Sequence, residues 1–261
     1  MRQMYTLAAM TALSGRRALV TGASRNLGAE IAAGLAAAGA AVAVNYRSSR
    51  DEAEAVVASL PEVGHGDHAA VPGDVADPDD AERVGAESAK ALDGPIDILV
   101  NNAGPYAATP FLDLEEEEFD WVWNANTTAT YLMARAVAAG MRESGWGRIV
   151  NLSASSAFVR NRSVYTLANA AIITLTEELA VELAPEIGVN AIAPGQINES
   201  LEELRDIIPD WAVQVISDTP RGRLVTRREI ADIVVLLCSP LFDSVTGITL
   251  PVDGGLRLNT F

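Results

Sequence analysis

A glycine-rich turn near the amino terminus has the residue types and spacing of a phosphate-binding loop. The stretch TGASRNLG, residues 21–28, follows the apolar run RALVT and opens a helical pattern. Gly22 permits a tight turn, and Gly28 lets the helix pack closely against the sheet. The helix then offers free N–H groups and the positive end of its dipole to a pyrophosphate. We predict a dinucleotide site here; a plain strand–helix turn is the alternative.

Two arginines indicate which dinucleotide this site would take. The second apolar run ends in VNYRSSR, residues 44–50, with Arg47 at the turn and no acidic residue to hold a ribose 2′-hydroxyl. Arg25 lies inside the glycine-rich turn. Because guanidinium groups form paired hydrogen bonds with phosphates, these residues favour a 2′-phosphate, and hence NADP(H) over NAD(H). The alternative is that both arginines are ordinary surface charges.

The elements that must position these residues alternate along the chain. Helical patterns separate seven short apolar runs, which are RALVT (17–21), AVAVN (41–45), HAAVP (68–72), IDILV (96–100), RIVNL (148–152), GVNAI (188–192) and GITLP (247–251). Such runs are typical of strands buried on both faces. Their alternation with helices predicts the α/β class, with a Rossmann-like, doubly wound parallel sheet in a single domain.

Three segments are distinguished within this plan. Residues 1–14 are predicted to be an N-terminal extension, and residues 15–261 the Rossmann-fold domain. The connection 196–223 is unusually long, and connections of that length are commonly lids or binding loops. We expect it to close over the substrate; an amphipathic helix packed on the core or on a partner subunit is the alternative.

Composition and charge exclude several classes of function. The 261 residues are 49% hydrophobic with a formal net charge of −16. So acidic a chain repels phosphate backbones and anionic lipid headgroups, so neither nucleic acid nor membrane is expected as a partner. Without an uninterrupted apolar run of 18 residues, no spanning helix is predicted. The single cysteine, Cys238, fits the cytoplasm, and the loop histidines His65 and His68 lack further ligands, so no metal site is predicted.

Several separate motifs resemble those of the short-chain dehydrogenase/reductase family. TGASRNLG is similar to the family's TGxxxGxG turn, and NNAG (101–104) to its central-strand motif. NANT places Asn126 at the family's helix asparagine, and SVYTLANAA (163–171) places Tyr165 at its catalytic tyrosine. GDV (73–75), VNAIAPGQI (189–197) and PVDGG (251–255) resemble the adenine-side, nicotinamide-side and C-terminal segments. The resemblance runs from Arg16 to Leu256 and implies a seven-stranded Rossmann fold.

The resemblance also implies a reaction and the residues that hold the cofactor. A hydride passes between the nicotinamide and a carbonyl carbon, while the tyrosine hydroxyl exchanges a proton with the carbonyl oxygen. A small carbonyl substrate and a homodimer or homotetramer are implied in the same way. The implied cofactor-binding residues are Gly22, Ser24, Arg25, Asn26, Leu27, Gly28, Tyr46, Arg47, Ser48, Asp74, Val75, Asn102, Ala103, Gly104, Pro194, Gly195 and Ile197.

Three positions depart from the family pattern. The middle glycine of the phosphate turn is Asn26, a residue type that tolerates left-handed backbone angles. The lysine that follows the family's tyrosine by four residues, which binds ribose and lowers the tyrosine pKa, is Asn169 here; the chain's single lysine is Lys90. The family's serine, which hydrogen-bonds the carbonyl oxygen, would fall on Ala154 counting forward from the strand.

A short loop makes the serine position ambiguous. Counting back from the tyrosine reaches Leu152 instead, so Ser153, Ser155 or Ser156 could serve, with Ser153 and Ser155 the first candidates. Ordinary polar strand-end residues are the alternative. We expect an atypical family member whose catalytic group is Tyr165, Asn126, Ser153, Ser155 and Asn169. Arg160 or Arg162 could supply a replacement charge.

The predicted function is NADPH-dependent reduction of a ketone-type small molecule with a modified proton relay. Loss of the lysine removes an interaction that favours the phenolate, so oxidation should suffer more than reduction. Two alternatives stay open. The chain could bind NADP(H) as a sensor or as the impaired partner of an active subunit, or it could be a non-redox cyclase, epimerase or lyase that reuses the pocket.

Overall fold

The computed structural model describes residues 12–64, 66–159, 162–202 and 209–259. Most of the predicted extension, His65, Arg160 and residues 203–208 of the predicted lid lie outside these ranges. Seven parallel strands form one sheet in the order β3–β2–β1–β4–β5–β6–β7. The strands are β1 (Arg17–Val20), β2 (Ala41–Tyr46), β3 (Ala69–Pro72), β4 (Ile98–Asn101), β5 (Gly147–Leu152), β6 (Ile187–Pro194) and β7 (Thr249–Val252). Each overlaps a predicted apolar run, so the prediction of a seven-stranded Rossmann-like sheet is confirmed.

Helices connect the strands and cover both faces of the sheet. They are α1 (Asn26–Ala37), α2 (Arg50–Ser59), α3 (Pro78–Ala91), α4 (Glu116–Trp123), α5 (Ala129–Glu143), α6 (Val164–Leu183), α7 (Asn198–Glu202), α8 (Pro209–Asp218) and α9 (Arg227–Cys238). A π-helical segment, Asn124–Thr128, joins α4 to α5. Short 3₁₀ turns occupy Ser155–Phe158, Pro240–Phe242 and Leu256–Leu258.

Alternate strand residues separate two hydrophobic cores. In β1, Val20 packs in a core with residues of α1 and α9, such as Leu35 and Val234. Its neighbour Leu19 belongs to the opposite core, with residues of α3, α5 and α6 such as Met133. Successive side chains of a strand point to opposite faces. Burial on both faces therefore explains why the strands read as continuous apolar runs.

A chain of buried polar side chains crosses the centre of the sheet. The Nδ2 atom of Asn101, at the end of β4, donates to Oδ1 of Asn151 in β5 at 2.9 Å. Asn151 Nδ2 donates to Thr176 Oγ1 at 3.0 Å, and Thr176 donates to the Ile172 carbonyl at 2.7 Å. Asn101 and Asn151 face each other in the β4–β5 register. This row of hydrogen-bonded side chains thereby links α6 to the two central strands.

Helix α6 is the one described helix long and apolar enough to cross a membrane by length and composition. Its buried residues Leu179, Ala180 and Leu183 belong to the core beneath the sheet. The core helix of a soluble fold passes the same test of length and hydropathy. Packing against this core therefore explains part of the apolar character of α6, while Leu167 and Val181 are exposed.

Candidate functional site

The loops that carry the sequence motifs meet at the carboxyl ends of the strands. Strands β1 and β4 are hydrogen-bonded neighbours, although β2 and β3 lie between them in sequence. The chain therefore leaves β1 toward one edge of the sheet and β4 toward the other. In open parallel sheets this reversal of strand order leaves a crevice in which ligands bind.

Close packing explains two glycines of the phosphate turn. Gly22 has φ +60°, and a Cβ atom there would lie 3.1 Å from Ala103 Cα. At Gly28 a Cβ atom would lie 2.5 Å from the Gly22 carbonyl oxygen and 2.7 Å from Asn102 Nδ2. The start of α1 thus sits directly against the turn and against the NNAG segment, where only glycine fits.

The NNAG segment holds the phosphate turn in place through side-chain hydrogen bonds. Asn102 Nδ2 donates to the carbonyls of Thr21 and Gly22 at 3.0 and 3.1 Å. The Thr21 hydroxyl accepts the backbone N–H groups of Asn102 and Ala103, each at 3.0 Å. From β2, Asn45 Oδ1 accepts the Gly22 N–H at 3.2 Å. Thr21 and Asn45 were not singled out from the sequence, although both are polar residues at the ends of apolar runs.

The first turn of α1 fits a pyrophosphate. Asn26 begins the helix with φ +52°, inside the left-handed region, and Arg25 before it is extended. No side chain caps this helix within the described residues. Its first backbone N–H groups therefore lack the side-chain partners that usually satisfy them, and together with the dipole they suit an anion.

Arg47, which we predicted from the sequence to bind a 2′-phosphate, lies just after β2 and beside Asp74. Its Nη1 atom lies 3.6 Å from Asp74 Oδ2, and the side chains are 61% and 41% exposed. Both residues, with Trp121 and Asn124, line a cavity of about 300 Å³ between the β3–α3 loop and α4. A guanidinium at this opening can reach a ligand phosphate, while Asp74 competes for it.

The other predicted cofactor residues divide by burial. Tyr46 and Val75 are buried and belong to the two cores, so their side chains serve packing. Ser24 and Leu27 are half-buried in and beside the turn, and Ser48 is exposed after β2. Pro194 and Gly195 end β6, where a Gly195 Cβ atom would lie 2.6 Å from Asp253 Cβ. Ile197 pairs with Val225 as an isolated bridge that joins the two ends of the lid segment.

Tyr165 lies in the first turn of α6. Ser163 caps this helix by accepting the Thr166 N–H at 3.3 Å. The ring of Tyr106, from the loop after NNAG, meets the Tyr165 ring edge-to-face with centroids 5.1 Å apart. The pKa of Tyr165 is raised to about 12, chiefly by burial and also by electrostatic repulsion from Tyr106, while a hydrogen bond with the Asn169 side chain opposes both.

The residues at the lysine and serine positions bond to the backbone of α6. Asn169 is 1% exposed, and its Nδ2 atom donates to the Tyr165 carbonyl at 2.9 Å. The Ser153 hydroxyl donates to the Asn169 carbonyl at 2.9 Å. Ser155 is buried at the start of the 3₁₀ turn. The hydroxyl of Ser156 is buried without a hydrogen-bond partner in the described part of the chain.

Asn126 holds the loop that follows NNAG. It lies in the π-helical segment, and its Nδ2 atom donates to the carbonyls of Val122 at 2.8 Å and Pro105 at 3.2 Å. Gly104 packs directly on the Asn126 amide, so that a side chain at residue 104 would collide with it. Asn126 therefore fixes the backbone on the amino-terminal side of Tyr106. The sequence pattern did not single out Tyr106, although an aromatic residue so close to NNAG was the available signal.

Two further predictions concern charge and metal. Arg162 is one of the two arginines that could replace the charge of the family's lysine. It is exposed just before α6 and has φ +54°. Within the described ranges no group of three or more His, Cys, Asp or Glu residues could hold a metal ion. Instead, His68 has a structural role, since its Nδ1 atom accepts the Val42 N–H at 3.0 Å.

Known proteins share both the sequence and the fold of this chain. The family model described as enoyl-(acyl carrier protein) reductase matches residues 22–257. L-xylulose reductase from Mesocricetus auratus is 36% identical over 247 residues, which are 93% of this chain and 97% of that protein.

Solved structures extend the similarity to three dimensions. A short-chain type dehydrogenase/reductase from Mycobacterium marinum is 33% identical, with a TM-score of 0.86 and coverage of 97% and 99% of the two chains. A gluconate 5-dehydrogenase from Burkholderia cenocepacia J2315, solved with NADP and tartrate, is 30% identical, with a TM-score of 0.86 and the same coverage. The chain belongs to the short-chain dehydrogenase/reductase family and is an oxidoreductase enzyme.

Proposed function

We propose that this enzyme reduces a small carbonyl compound with NADPH and that Tyr165 donates the proton. One juxtaposition carries the proposal. The phenol of Tyr165 and the phosphate turn lie at the same edge of the sheet, on either side of the NNAG segment. A dinucleotide anchored at α1 would extend its reactive end along that edge toward Tyr165. The substrate is proposed to be of the ketone type.

The residues of the site would have separate roles in this reaction. When bound, the reduced nicotinamide supplies a hydride for the carbonyl carbon. The Tyr165 hydroxyl gives its proton to the carbonyl oxygen, and the start of α1 with Arg25 and Arg47 would hold the phosphates. Asn126 would keep the loop beside the substrate in place. The relay is modified because Asn169 brings no cation to the site.

The pKa of Tyr165 determines which protonation state of the phenol is present at neutral pH. At a pKa of about 12 the phenol keeps its proton throughout the neutral range, as reduction requires. Oxidation needs the phenolate. Because pH 8 lies four units below that pKa, the phenolate fraction there would be about one molecule in ten thousand. At neutral pH the phenol is therefore in the protonation state that reduction uses, and the oxidation rate should rise toward alkaline pH.

Arg47 supports NADPH as the preferred cofactor, as does the NADP in the solved gluconate 5-dehydrogenase structure. We further propose that residues 196–223 form the substrate lid. The two helices of that segment share a small apolar cluster through Leu201, Ala212 and Val215, and Leu224, just after the segment, completes it. A cytoplasmic homodimer or homotetramer completes the proposal.

The experiment combines cofactor binding with turnover. The purified protein is titrated with NADPH and NADH by fluorescence, and NADPH consumption is then followed with a panel of ketoses, keto acids and 3-ketoesters. Tyr165→Phe should lose at least about 100-fold in kcat, because the proton donor is removed. The matched control is Tyr131→Phe, an exposed tyrosine of α5 that should leave kcat unchanged. Equal turnover by both variants would refute the role of Tyr165.

One observation favours a second candidate. Asn169 occupies the position of the family's lysine, which fits a protein that binds NADP(H) without using it. This candidate predicts cofactor binding with no NADPH consumption at any pH and with any acceptor. Steady consumption that depends on Tyr165 would exclude it.

A further inference from the structure

The proposed reaction sets two requirements at the carbonyl oxygen. Besides its proton donor, that oxygen needs a second hydrogen-bond donor as negative charge develops on it. The residue that follows Ser153 is Ala154, which has no hydroxyl. The Ser153 hydroxyl itself donates to the Asn169 carbonyl. The first hydroxyl group after β5, that of Ser153, therefore already donates its proton to a hydrogen bond within the fold.

Tyr106 places another hydroxyl group beside Tyr165. Its residue is 67% exposed, and its ring meets the Tyr165 ring edge-to-face at 5.1 Å and 69°. The Tyr106 hydroxyl has no hydrogen-bond partner among the described residues. A half-buried proton donor thus lies next to an exposed phenol.

The backbone under Tyr106 is held firmly. Pro105 restricts the preceding backbone, and its carbonyl accepts a hydrogen bond from Asn126 at 3.2 Å. Gly104 packs on the same amide. The backbone from which the Tyr106 side chain extends is therefore fixed beside Tyr165. The position of Tyr106 follows from the same contacts that position NNAG.

We propose that Tyr106 is a second catalytic residue, whose hydroxyl donates a hydrogen bond to the carbonyl oxygen of the substrate. This inference rests on the proposed function and names the group that replaces the family's serine. As the carbonyl carbon accepts a hydride, the C=O π electrons move to the oxygen. The oxygen takes the proton of Tyr165, which becomes a phenolate and regains a proton from water. The Tyr106 O–H bond stays intact throughout.

The test separates the hydroxyl of Tyr106 from its ring. Tyr106→Phe keeps the ring and removes the donor, Tyr106→Ala removes both, and Tyr131→Phe is the control. Loss of one donor to a developing oxyanion should lower the kcat of Tyr106→Phe by about 100-fold. KM and the NADPH dissociation constant should change less than about 3-fold, because the donor acts mainly in the transition state. A wild-type kcat in Tyr106→Phe, with a raised KM in Tyr106→Ala alone, would overturn the proposal.

A second measurement does not depend on activity. NMR titration of ¹³Cζ-labelled tyrosine, with the Tyr165 signal assigned from Tyr165→Phe, reports the pKa of that phenol. In Tyr106→Phe this pKa should fall, because the repulsion from Tyr106 is gone. An unchanged pKa would show that the two phenols are not neighbours and would reject the proposal. If they are neighbours but no acceptor is reduced, the proposed function fails, and this catalytic role fails with it.

Discussion

The motif resemblance implies that two asparagines fall at positions where the family pattern has other residues, and the two differ in what they can replace. Asn26 stands for a glycine in the phosphate turn, where the requirement is a left-handed backbone. It meets that requirement with φ +52°. Asn169 stands for a lysine beside the catalytic tyrosine, where the requirement is a positive charge. An amide cannot supply that charge, and the pKa of Tyr165 lies at about 12.

The comparison separates two kinds of requirement. A conformational requirement can be met by any residue that reaches the angle, so the phosphate turn tolerates the exchange. An electrostatic requirement can be met only by another charge or by a change in how the reaction runs. Substitutions in the phosphate turn and substitutions beside Tyr165 should therefore have different effects.

The largest effect is expected at Gly28→Ala in the phosphate turn. The added Cβ atom would lie 2.5 Å from the Gly22 carbonyl oxygen and 2.8 Å from Ala23 Cα, and neither backbone atom can move without opening the turn. NADPH binding should weaken by about 100-fold, with a lower Tm, as the start of α1 shifts away from the phosphates.

Fluorescence titration and thermal melting measure both effects. Gly34→Ala is the control in the same helix, because its Cβ atom would sit 3.4 Å from Val235 Cγ2 in ordinary contact. If the two variants bound NADPH equally well, the packing account of the turn would be wrong.

A smaller loss, confined to one cofactor, is expected for Arg47→Gln. A charge-assisted hydrogen bond to a phosphate contributes about 1.5–3 kcal/mol, so NADPH should bind about 10- to 100-fold more weakly while NADH is unaffected. Isothermal titration with both cofactors measures the difference. Arg50→Gln is the control, since Arg50 pairs with Glu54 on the exposed face of α2. Equal losses of affinity for the two cofactors would show that Arg47 does not bind the 2′-phosphate.

Asn169→Lys should restore the missing charge. A cation next to Tyr165 lowers the pKa of the phenol, so the phenolate forms at lower pH. A shift of one unit would move the alkaline limb of the oxidation profile about one pH unit lower, because the phenolate fraction at pH 8 would rise about tenfold. The pH profile of oxidation is the measurement, with Asn169→Met as an uncharged control of similar length. If the alkaline limb of the oxidation profile stayed at the same pH in both Asn169→Lys and Asn169→Met, the charge at residue 169 would not control the pKa of Tyr165.

The smallest effect is expected at Asn26→Gly. Glycine adopts the left-handed angle without steric cost, so the NADPH dissociation constant should change by less than about 3-fold. Asn26→Val should bind more weakly, because a β-branched residue is strained at positive φ. The same titration compares the two variants. A large gain from glycine would mean that the Asn26 side chain obstructs the phosphates, and the contrast with Asn169 would weaken.

Much of the fold could be predicted from the sequence, because its signals are local. Continuous apolar runs mark strands buried on both faces, and the helical patterns between them require parallel crossovers. The left-handed angle of Asn26 also follows from residue type.

The site was harder to predict, because its contacts join distant elements. Ser153 bonds to the carbonyl of Asn169 because β5 passes beside α6. Tyr106 meets Tyr165 because Asn126 holds the loop before it. The π-helical segment that carries Asn126 leaves no pattern distinct from an ordinary helix. Spacing counts alone could not assign the serine for the same reason.

The buried chain from Asn101 through Asn151 to Thr176 also bears on how the sheet reaches its correct pairing. A shift of β5 by two residues against β4 would keep every apolar side chain on its proper face. It would, however, bring Ile149 or Ser153 opposite Asn101 and leave amides without partners, at about 1–3 kcal/mol for each buried group. The polar chain therefore discriminates against a misfold that hydrophobicity alone would accept. A change such as Asn101→Leu would show itself in the yield of correctly refolded protein.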